Sequence, residues 1–379
     1  MTLGAYVHVP WCASRCGYCD FNTYVPRGAE PAAFAATAVA EIALLRERFG
    51  ADRPGTVFFG GGTPTLLEAA DLARILEALD PAAGAEVTVE ANPESVDPRK
   101  LRDLRAAGFT RVSIGMQSAA PHVLRTLDRA HTPGRAVAAA REARAAGFEH
   151  VSLDLIYGTP GETDADWEAS LQAVLAAETD HVALYNLTVE PGTRLFADVR
   201  DGRLPAPDED ALERRYALAD ARLADGGLRW YEVASWAAAD AARCRHNEGY
   251  WTGRDWWAVG PGAHGHHDGT RYWTLRRPAD HARVVAAGRL PIAGEETLTA
   301  EQRELERTML GIRRAAGLPL APAQQAPAAA LARDGLLTIG DDRAVLTLKG
   351  RQLADMVTRR LTAEGPRRAP REQAVLKTS

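Results

Sequence analysis

Short apolar runs alternate with longer segments of helical spacing through the first half of the chain. The short runs predict strands at Val7–Val9, Thr56–Phe59, Glu86–Val89, Arg111–Ile114, Val151–Ile156 and His181–Leu184. The longer segments predict helices at Pro31–Phe49, Ala69–Leu79, Pro98–Ala107, Gly134–Ala146 and Trp167–Ala176. Strands separated by helices form a parallel sheet with right-handed crossovers. The pattern therefore predicts an α/β fold.

Polar residues follow these strands at the points where the apolar runs end. Cys12–Cys19 follows the first strand, Gly60–Pro64 the second and Glu90–Pro93 the third, and Gln117 comes shortly after the fourth. In parallel α/β folds the carboxyl ends of the strands carry the ligands. We expect a partial, TIM-like (β/α) barrel with its site at this edge, although an open doubly wound sheet would show the same local pattern.

The second half of the chain differs in composition and in the pattern of its predicted elements. Tryptophans are concentrated between 229 and 298, and from Thr299 the pattern predicts helices at Glu301–Arg313 and Ala328–Asp334. A hairpin within 336–348 and a helix at Gly350–Arg360 follow, which is the order of a small winged-helix-like unit.

Four segments are therefore predicted: a core barrel at 1–228, a connecting region at 229–298, a winged-helix-like domain at 299–362, and a disordered tail at 363–379. The last is rich in proline and charge, a composition that disfavours a packed core.

Composition narrows the classes of function. The 379 residues carry a formal net charge of −5, which gives no electrostatic reason to expect a nucleic-acid partner. Charged residues interrupt every apolar stretch before it is long enough to cross a bilayer, so no membrane span is expected. The chain enters its first predicted strand at once, without a basic, apolar leader, and we expect a cytoplasmic protein.

Three of the four cysteines lie in one loop, at Cys12, Cys16 and Cys19. Three thiolates on one loop can hold three irons of a [4Fe–4S] cluster and leave the fourth iron open, whereas ferredoxin-type clusters take a fourth cysteine. A zinc knuckle would need a fourth cysteine or histidine, and three unconnected thiols are the remaining alternative.

The Cys-x3-Cys-x2-Cys spacing after a first strand resembles the radical S-adenosylmethionine (SAM) superfamily. The resemblance implies that the SAM amino and carboxylate groups bind the open iron. It also implies that an electron from the cluster cleaves SAM to methionine and a 5′-deoxyadenosyl radical. Gly60–Pro64 resembles the superfamily's loop that holds the methionyl amine of SAM.

Four further polar residues lie at or after the carboxyl ends of predicted strands: Glu90, Gln117, Arg129 and Asp154. Singly, each would be a common cap or surface ion pair. As a set they resemble the coproporphyrinogen oxidase-like branch of the superfamily. The positions at which that branch implies SAM contacts are Tyr6, Tyr18, Gly61, Glu90, Gln117, Arg129 and Asp154.

The branch contains an oxygen-independent coproporphyrinogen III oxidase and a heme chaperone. The oxidase has a further cysteine two residues after the third, where this chain has Phe21, and a long extension before its first strand. The His-Asn-x-x-Tyr-Trp segment at His246–Trp251 resembles the chaperone. The resemblance thus implies a chaperone that binds heme and hands it to an unidentified acceptor protein, with an electron donor if SAM is cleaved. The oxidase is the alternative, and enzymatic activity is left open.

His246 is the heme-contacting residue that this resemblance implies. A neutral imidazole is a common axial ligand of heme iron, and Tyr250 and Trp251 offer flat apolar surface to a porphyrin. A structural histidine in an aromatic cluster is the alternative. Cys244 is interpreted as a buried thiol rather than a second ligand, and a short run of further histidines also offers iron ligands: His264, His266 and His267.

Overall fold

The computed structural model describes residues 2–28, 30–129 and 131–362, so the predicted disorder of 363–379 lies outside the described residues. The strands within this part are β1 (Gly4–Val9), β2 (Thr56–Gly61), β3 (Glu86–Ala91), β4 (Arg111–Gln117), β5 (His150–Tyr157), β6 (His181–Asn186), β7 (Arg229–Glu232), β8 (Ser235–Ala237), β9 (Trp256–Val259), β10 (His264–His267), β11 (Thr270–Thr274), β12 (Ile292–Thr297), β13 (Leu318–Pro319), β14 (Leu337–Gly340) and β15 (Arg343–Leu346).

The α-helices are α1 (Glu30–Phe49), α2 (Ala69–Leu79), α3 (Pro98–Ala106), α4 (Pro121–Thr126), α5 (Arg135–Ala145), α6 (Asp164–Ala176), α7 (Arg194–Arg200), α8 (Glu209–Asp225), α9 (Arg245–Trp251), α10 (Pro278–Ala286), α11 (Ala300–Gly311), α12 (Gln325–Arg333), α13 (Leu348–Gln352) and α14 (Ala354–Thr362).

The larger sheet is built on β1 to β6, which pair in parallel in chain order. β9 pairs in parallel with the free side of β1, and β10 to β12 continue outward from it as an antiparallel meander. At the opposite edge β8 and β7 extend the sheet beyond β6. The strand order runs from β12 to β7 without closing among the described residues. The predicted α/β fold with a partial barrel is confirmed.

Helices cover the outer face of the parallel strands. On α2 the residues Leu72, Ile75, Leu76 and Leu79 recur at helical spacing and are all buried, so one stripe of the helix enters the core. α6 begins at a capping box, in which the Thr163 hydroxyl and the Asp166 carboxylate each satisfy a backbone N–H that the helix leaves unpaired. The second face of the strands is left to line the barrel interior.

The tryptophan-rich region between 229 and 298 joins both edges of this sheet. β7 and β8 lie at the β6 side, whereas β9 to β12 lie at the β1 side. Trp236 and Trp257 are fully buried within the main hydrophobic core. The region predicted to connect two domains therefore contributes strands to the larger sheet itself. The domain boundaries at 228 and 298 remain predictions.

A smaller unit of helices and a three-stranded sheet, ordered β13–β15–β14, ends the described chain. It has a separate core that includes Ile312, Leu331 and Val357. The single helix predicted at Gly350–Arg360 is wrong, because the backbone leaves the helical conformation at Leu353 (φ −113°). As a result α13 and α14 contact different parts of the protein: α14 packs on the small core, while α13 faces the barrel.

Two arginines connect the small unit to the barrel. Arg351 on α13 donates to the Asp220 carboxylate at 2.7 and 2.8 Å, and its guanidinium lies 4.5 Å from the centre of the Trp230 ring. Arg314 lies 3.7 Å from Glu248 on α9. None of the helices in the described ranges combines the length and apolar character needed to span a membrane.

Candidate functional site

The three clustered cysteines lie in the loop that follows β1. The Cys12 N–H donates to the Tyr24 carbonyl at 3.0 Å and the Cys19 N–H to the Cys16 carbonyl at 3.3 Å, so the loop is folded tightly on itself. All three thiols are partly exposed, and those of Cys16 and Cys19 line a cavity of about 640 Å³. The loop therefore presents its sulfur atoms to an accessible space at the carboxyl ends of the parallel strands.

Two polar side chains contact these sulfurs. The Thr63 hydroxyl donates to Cys12 Sγ at 3.8 Å, and Arg129 Nη1 donates to Cys16 Sγ at 3.6 Å. Burial raises the pKa of the Cys12 and Cys19 thiols. Because metal ligation requires thiolates, a positive charge beside Cys16 suits an anionic iron–sulfur cluster. The fourth cysteine, Cys244, lies at the far end of the barrel.

Hydrogen bonds through His8 and Asn22 hold the cysteine loop in place from inside the barrel. His8 Nε2 lies 3.1 Å from the Asn22 carbonyl, which only accepts, so Nε2 carries the proton. Burial lowers the pKa of His8 to about 4, so the ring is neutral and Nδ1 accepts from the Tyr6 hydroxyl at 3.1 Å. Asn22 also donates to the carbonyls of Pro261 and Arg276, each at 2.9 Å. Tyr6 thus supports the cysteine loop through His8.

The glycine loop packs against β1 so closely that a side chain would not fit. Gly61 has a φ of +103°, and a Cβ there would lie 2.6 Å from the His8 ring. The Gly61 N–H donates to Glu90 Oε2 at 3.2 Å. Because Gly61 has no side chain, the backbone of the loop can come close to the polar interior of the barrel, and a glycine loop that binds a ligand needs the same close approach.

Two buried carboxyl groups, on β3 and β5, face the interior close enough for the charge of one to affect the other. Burial, with the charge of Asp154 adding to it, raises the pKa of Glu90 to about 8. Burial likewise raises the pKa of Asp154 to about 6. Asp154 accepts from the Ser113 hydroxyl at 2.8 Å and from the Ser152 hydroxyl at 3.0 Å. Both carboxyl groups are poised to accept hydrogen bonds from a polar or cationic ligand.

Arg129 connects β4 to the cysteine loop. Its Nη2 donates to the Gly115 carbonyl at 3.2 Å, while its Nε is buried with no hydrogen-bond partner. A buried guanidinium with an unused donor is costly unless a ligand completes it. Its position beside Cys16 and its unsatisfied N–H fit the carboxylate of a ligand bound at the cluster.

The remaining residues expected to contact SAM lie at this end of the sheet. Gln117 ends β4 with a φ of +66° after a bulge at Gly115, and it is buried. Tyr18 lies within the cysteine loop, packed against an apolar cluster that contains Ile156 and Leu187. Six of the residues expected to contact SAM lie toward the cysteine side of the barrel: Tyr18, Gly61, Glu90, Gln117, Arg129 and Asp154. Tyr6 lies in the middle of β1, where its ring stacks 6.3 Å from that of Phe58, and it reaches the cysteine loop only through His8.

His246 lies at the opposite end. Its Nδ1 is 3.0 Å from the hydroxyl of Thr56, the first residue of β2, and its Nε2 is 2.9 Å from the Tyr250 hydroxyl. Its backbone N–H donates to Glu86 at 2.9 Å, and burial lowers the pKa of the ring to about 3. The void beside the ring is about 10 Å³, the size of one water molecule. The structure does not bring His246 to the cysteine loop, and it gives the ring no free nitrogen.

The other residues considered for heme differ in exposure. Cys244 is buried, with its Sγ 3.7 Å from Glu86 Oε1, which matches the interpretation of a buried thiol. His264 is exposed on β10, where its ring stacks 6.1 Å from that of Trp273.

Several polar residues of the interior were missed from the sequence. Ser113 and Ser152 donate to Asp154, and Asn22 fixes the cysteine loop. Ser152 and Asp154 are two apart on β5, and that spacing places both side chains on one face of the strand. The period-two spacing was the available signal, but an isolated serine in an apolar strand gives no sign of its partner.

The comparisons with known proteins agree with this geometry. The profile of the Radical SAM superfamily matches residues 6–174. In shape the chain is similar to coproporphyrinogen III oxidase (HemN) of Escherichia coli, described as a radical SAM enzyme, with a TM-score of 0.81 over 95% of this chain and 90% of that one. At 23% identity this likeness establishes the fold alone. The fold and the cysteine loop are those of a radical SAM protein.

Two relatives narrow the class. A protein of Mycobacterium tuberculosis named heme chaperone HemW is 50% identical over 368 residues, which cover 94% of each chain. The heme chaperone HemW of Bacillus subtilis is 31% identical over 319 residues, 83% of this chain and 84% of that one. The chain belongs to the HemW family of the radical SAM superfamily. Membership of that superfamily implies a [4Fe–4S] cluster and SAM.

Proposed function

We propose that this chain is a heme chaperone, which binds heme and transfers it to an acceptor protein in the cytoplasm. The observation that carries the proposal is 50% identity with a protein of that name over 94% of both chains. Phe21, at the position of the extra oxidase cysteine, supports it from the sequence. An acceptor protein is required, and an electron donor is required wherever SAM is cleaved.

The cysteine loop is the proposed cofactor site of this chaperone. Cys12, Cys16 and Cys19 would hold the [4Fe–4S] cluster, with Arg129 balancing its charge. A SAM-binding cluster of this kind supplies one-electron chemistry when bound. The chain's own residues provide the binding surface: Glu90 is placed to accept from the amine of SAM, and Asp154 from its ribose hydroxyls.

Tyr6, Tyr18, Gly61 and Gln117 complete this proposed surface. Their part is to position the ligand and exclude water rather than to exchange protons, since each is packed or hydrogen-bonded within the protein.

Heme contact at His246 requires a local rearrangement. The Nε2 atom must give up the Tyr250 hydroxyl, and a void of about 10 Å³ must open to admit a porphyrin. α9 spans only seven residues, so opening of this segment would break few backbone hydrogen bonds. We propose that the His246–Trp251 segment opens when heme binds, which makes the His246–Tyr250 hydrogen bond a cost of binding.

Two substitutions test this proposal, because they should change the affinity for heme in opposite directions. After anaerobic reconstitution, His246→Ala should shift the Soret band and raise the heme dissociation constant, whereas His264→Ala should change neither. Tyr250→Phe keeps the aromatic face but frees Nε2, so it should tighten heme binding about threefold to tenfold. Unchanged heme affinity in both His246→Ala and Tyr250→Phe would show that the segment is structural.

The oxidase alternative is tested with the same preparation. Protein with an intact cluster, SAM and a reductant should release no carbon dioxide from coproporphyrinogen III. Turnover of about one per second or faster would be typical of an enzyme and would replace the chaperone proposal.

A further inference from the structure

Four hydrogen bonds form a continuous chain through the barrel interior, from Asp154 toward the amino ends of the strands. Asp154 accepts from Ser152 at 3.0 Å, and the Ser152 hydroxyl lies 2.8 Å from His181 Nδ1. His181 Nε2 lies 2.8 Å from the Tyr231 hydroxyl, which accepts from the Cys244 N–H at 3.1 Å. Cys244 immediately precedes α9, so the chain joins the proposed SAM site to the start of the helix that carries His246.

The donor and the acceptor of every bond can be deduced by starting from the backbone N–H of Cys244. A backbone N–H can only donate, so the Tyr231 oxygen accepts from Cys244, and His181 Nε2 is the acceptor within reach of its O–H. The proton of the imidazole is then on Nδ1, which donates to the Ser152 oxygen. Ser152 is left with its own O–H for the Asp154 carboxylate.

Burial prevents the reverse arrangement. Tyr231 and Ser152 are each 1% exposed and His181 is 4% exposed, so water cannot complete a broken bond. Burial, with the charge of Arg111 adding to it, lowers the pKa of His181 well below its ordinary value, so the ring is neutral. A reversed chain would direct the Nε2–H of His181 at Tyr231, whose own O–H would then have no acceptor among these partners. A buried donor left without a partner is strongly disfavoured.

We infer that Ser152, His181 and Tyr231 are positioning residues that hold the Asp154 carboxylate as a hydrogen-bond acceptor oriented toward the ribose of SAM. The inference rests on the proposed role of Asp154 in SAM binding. The bonds in the chain share one direction, so each polarises the next and the orientation is set cooperatively. Without the Tyr231 hydroxyl, the tautomer of His181 and the donor to Asp154 are no longer fixed.

The tautomer of His181 tests the chain of bonds without any cofactor. In the full chain free of cluster and SAM, ¹⁵N NMR of labelled histidine should show His181 protonated on Nδ1, with its signal assigned by its loss in His181→Gln. Tyr231→Phe should abolish this preference. A wild-type His181 protonated on Nε2 would overturn the inference.

The affinity for SAM tests the consequence. In protein loaded with its cluster, Tyr231→Phe should raise the SAM dissociation constant about fivefold to tenfold, the effect of one buried hydrogen bond. Tyr272→Phe is the matched control, because that hydroxyl accepts from the Ala258 N–H at 2.9 Å, is equally buried and has no part in the chain. The control should change the constant less than about twofold.

Two results separate the possible failures. If Tyr231→Phe does not fold, Ser152→Ala removes the last donor of the chain and should weaken SAM to a similar degree. An unchanged SAM affinity in either folded variant would overturn the inference. Failure of the wild-type protein to bind SAM would instead refute the proposed SAM site, including the role of Asp154, while the tautomer would still decide whether the chain of bonds exists.

Discussion

The two ends of the barrel carry motifs that look equally rich in chemistry but have opposite physical states. At the carboxyl ends of the strands, the cysteine loop is partly exposed beside a cavity of about 640 Å³, and Arg129 keeps a buried donor unused. At the amino ends, His246 is buried, both of its ring nitrogens have partners, and the adjacent void is about 10 Å³. One end is prepared to receive a ligand, whereas the other is already satisfied by the protein.

The identity of a side chain therefore indicates its chemistry but not its availability. A thiol or an imidazole is a ligand only if the fold leaves its donor atom unpaired or makes the existing bond easy to break.

The largest effect is expected at the cysteine loop. Cys12→Ala, Cys16→Ala or Cys19→Ala should each abolish the cluster, because two thiolates do not hold a cubane. Iron and sulfide per chain after anaerobic reconstitution measure the loss. Cys244→Ala is the matched control from the other end of the barrel and should retain the cluster. A triple variant that still bound four irons would refute the assignment.

At the amino end, loss of a buried ion pair should change the stability of the fold. Arg111 Nε donates to Glu86 Oε2 at 3.2 Å, and the side chains are 2% and 4% exposed. Glu86→Ala leaves a buried positive charge unpaired and should lower the free energy of unfolding by about 3–5 kcal/mol. Urea denaturation measures this.

The control for that effect is an exposed ion pair. Glu295→Ala breaks the contact between Glu295 and Arg48, whose side chains are 51% and 41% exposed. It should cost no more than about 1 kcal/mol. Equal effects of the two substitutions would mean that the amino end is not a buried, satisfied network.

Close packing at the glycine loop is expected to be necessary for SAM binding. Gly61→Ala puts a Cβ 2.6 Å from the His8 ring and should weaken SAM binding by about tenfold or more. Gly84→Ala is a matched control, since Gly84 also has a positive φ but has no atom within 4 Å of the added carbon. SAM titration of both variants separates steric exclusion from backbone strain, and equal affinities would contradict close packing at the site.

Taken per pH unit, the smallest effect is a pH dependence of stability, to which Glu90 at the carboxyl end contributes. Because the pKa of Glu90 is raised to about 8, the folded protein keeps this proton while the unfolded chain has lost it above about pH 4.5. Stability of the cofactor-free protein should therefore fall between pH 4.5 and 8, by at most about 1.4 kcal/mol per pH unit from this group.

Substitution isolates this contribution. Glu90→Gln should flatten the decline, as measured by urea unfolding at pH 5 and pH 8, whereas Glu77→Gln on the exposed side of α2 should leave it unchanged. A variant Glu90→Gln with the wild-type slope would show that this carboxyl does not contribute to the decline.

The sequence predicted the parallel strands but placed their ends too early. β4 was predicted at Arg111–Ile114 and extends to Gln117, and β2 was predicted to stop at Phe59 but extends to Gly61. The apolar pattern ends where the strand enters the site, yet backbone pairing continues through the polar residues. The same limit hid Tyr231 and His181, because a bond between residues 50 positions apart leaves no trace in local spacing.

The motifs at the cysteine loop could be predicted because their geometry is local. Cys12, Cys16 and Cys19 are held in one turn, so their spacing in sequence reflects their arrangement in space. His246 has partners contributed by β2 and α9, and only the folded chain reveals that its nitrogens are occupied. The heme contact at this residue remains a prediction.

The parallel pairing of β1 with β9 has a consequence for synthesis on the ribosome. Val7 pairs with Val259, and Asn22 bonds to the carbonyl of Arg276, so the first strand and its loop await segments made some 250 residues later. At the usual rate of translation this delay is on the order of 10–50 s. The nascent cysteine loop is expected to lack its final shape throughout that interval, and ribosome-bound chains that end before Trp256 should accept no cluster.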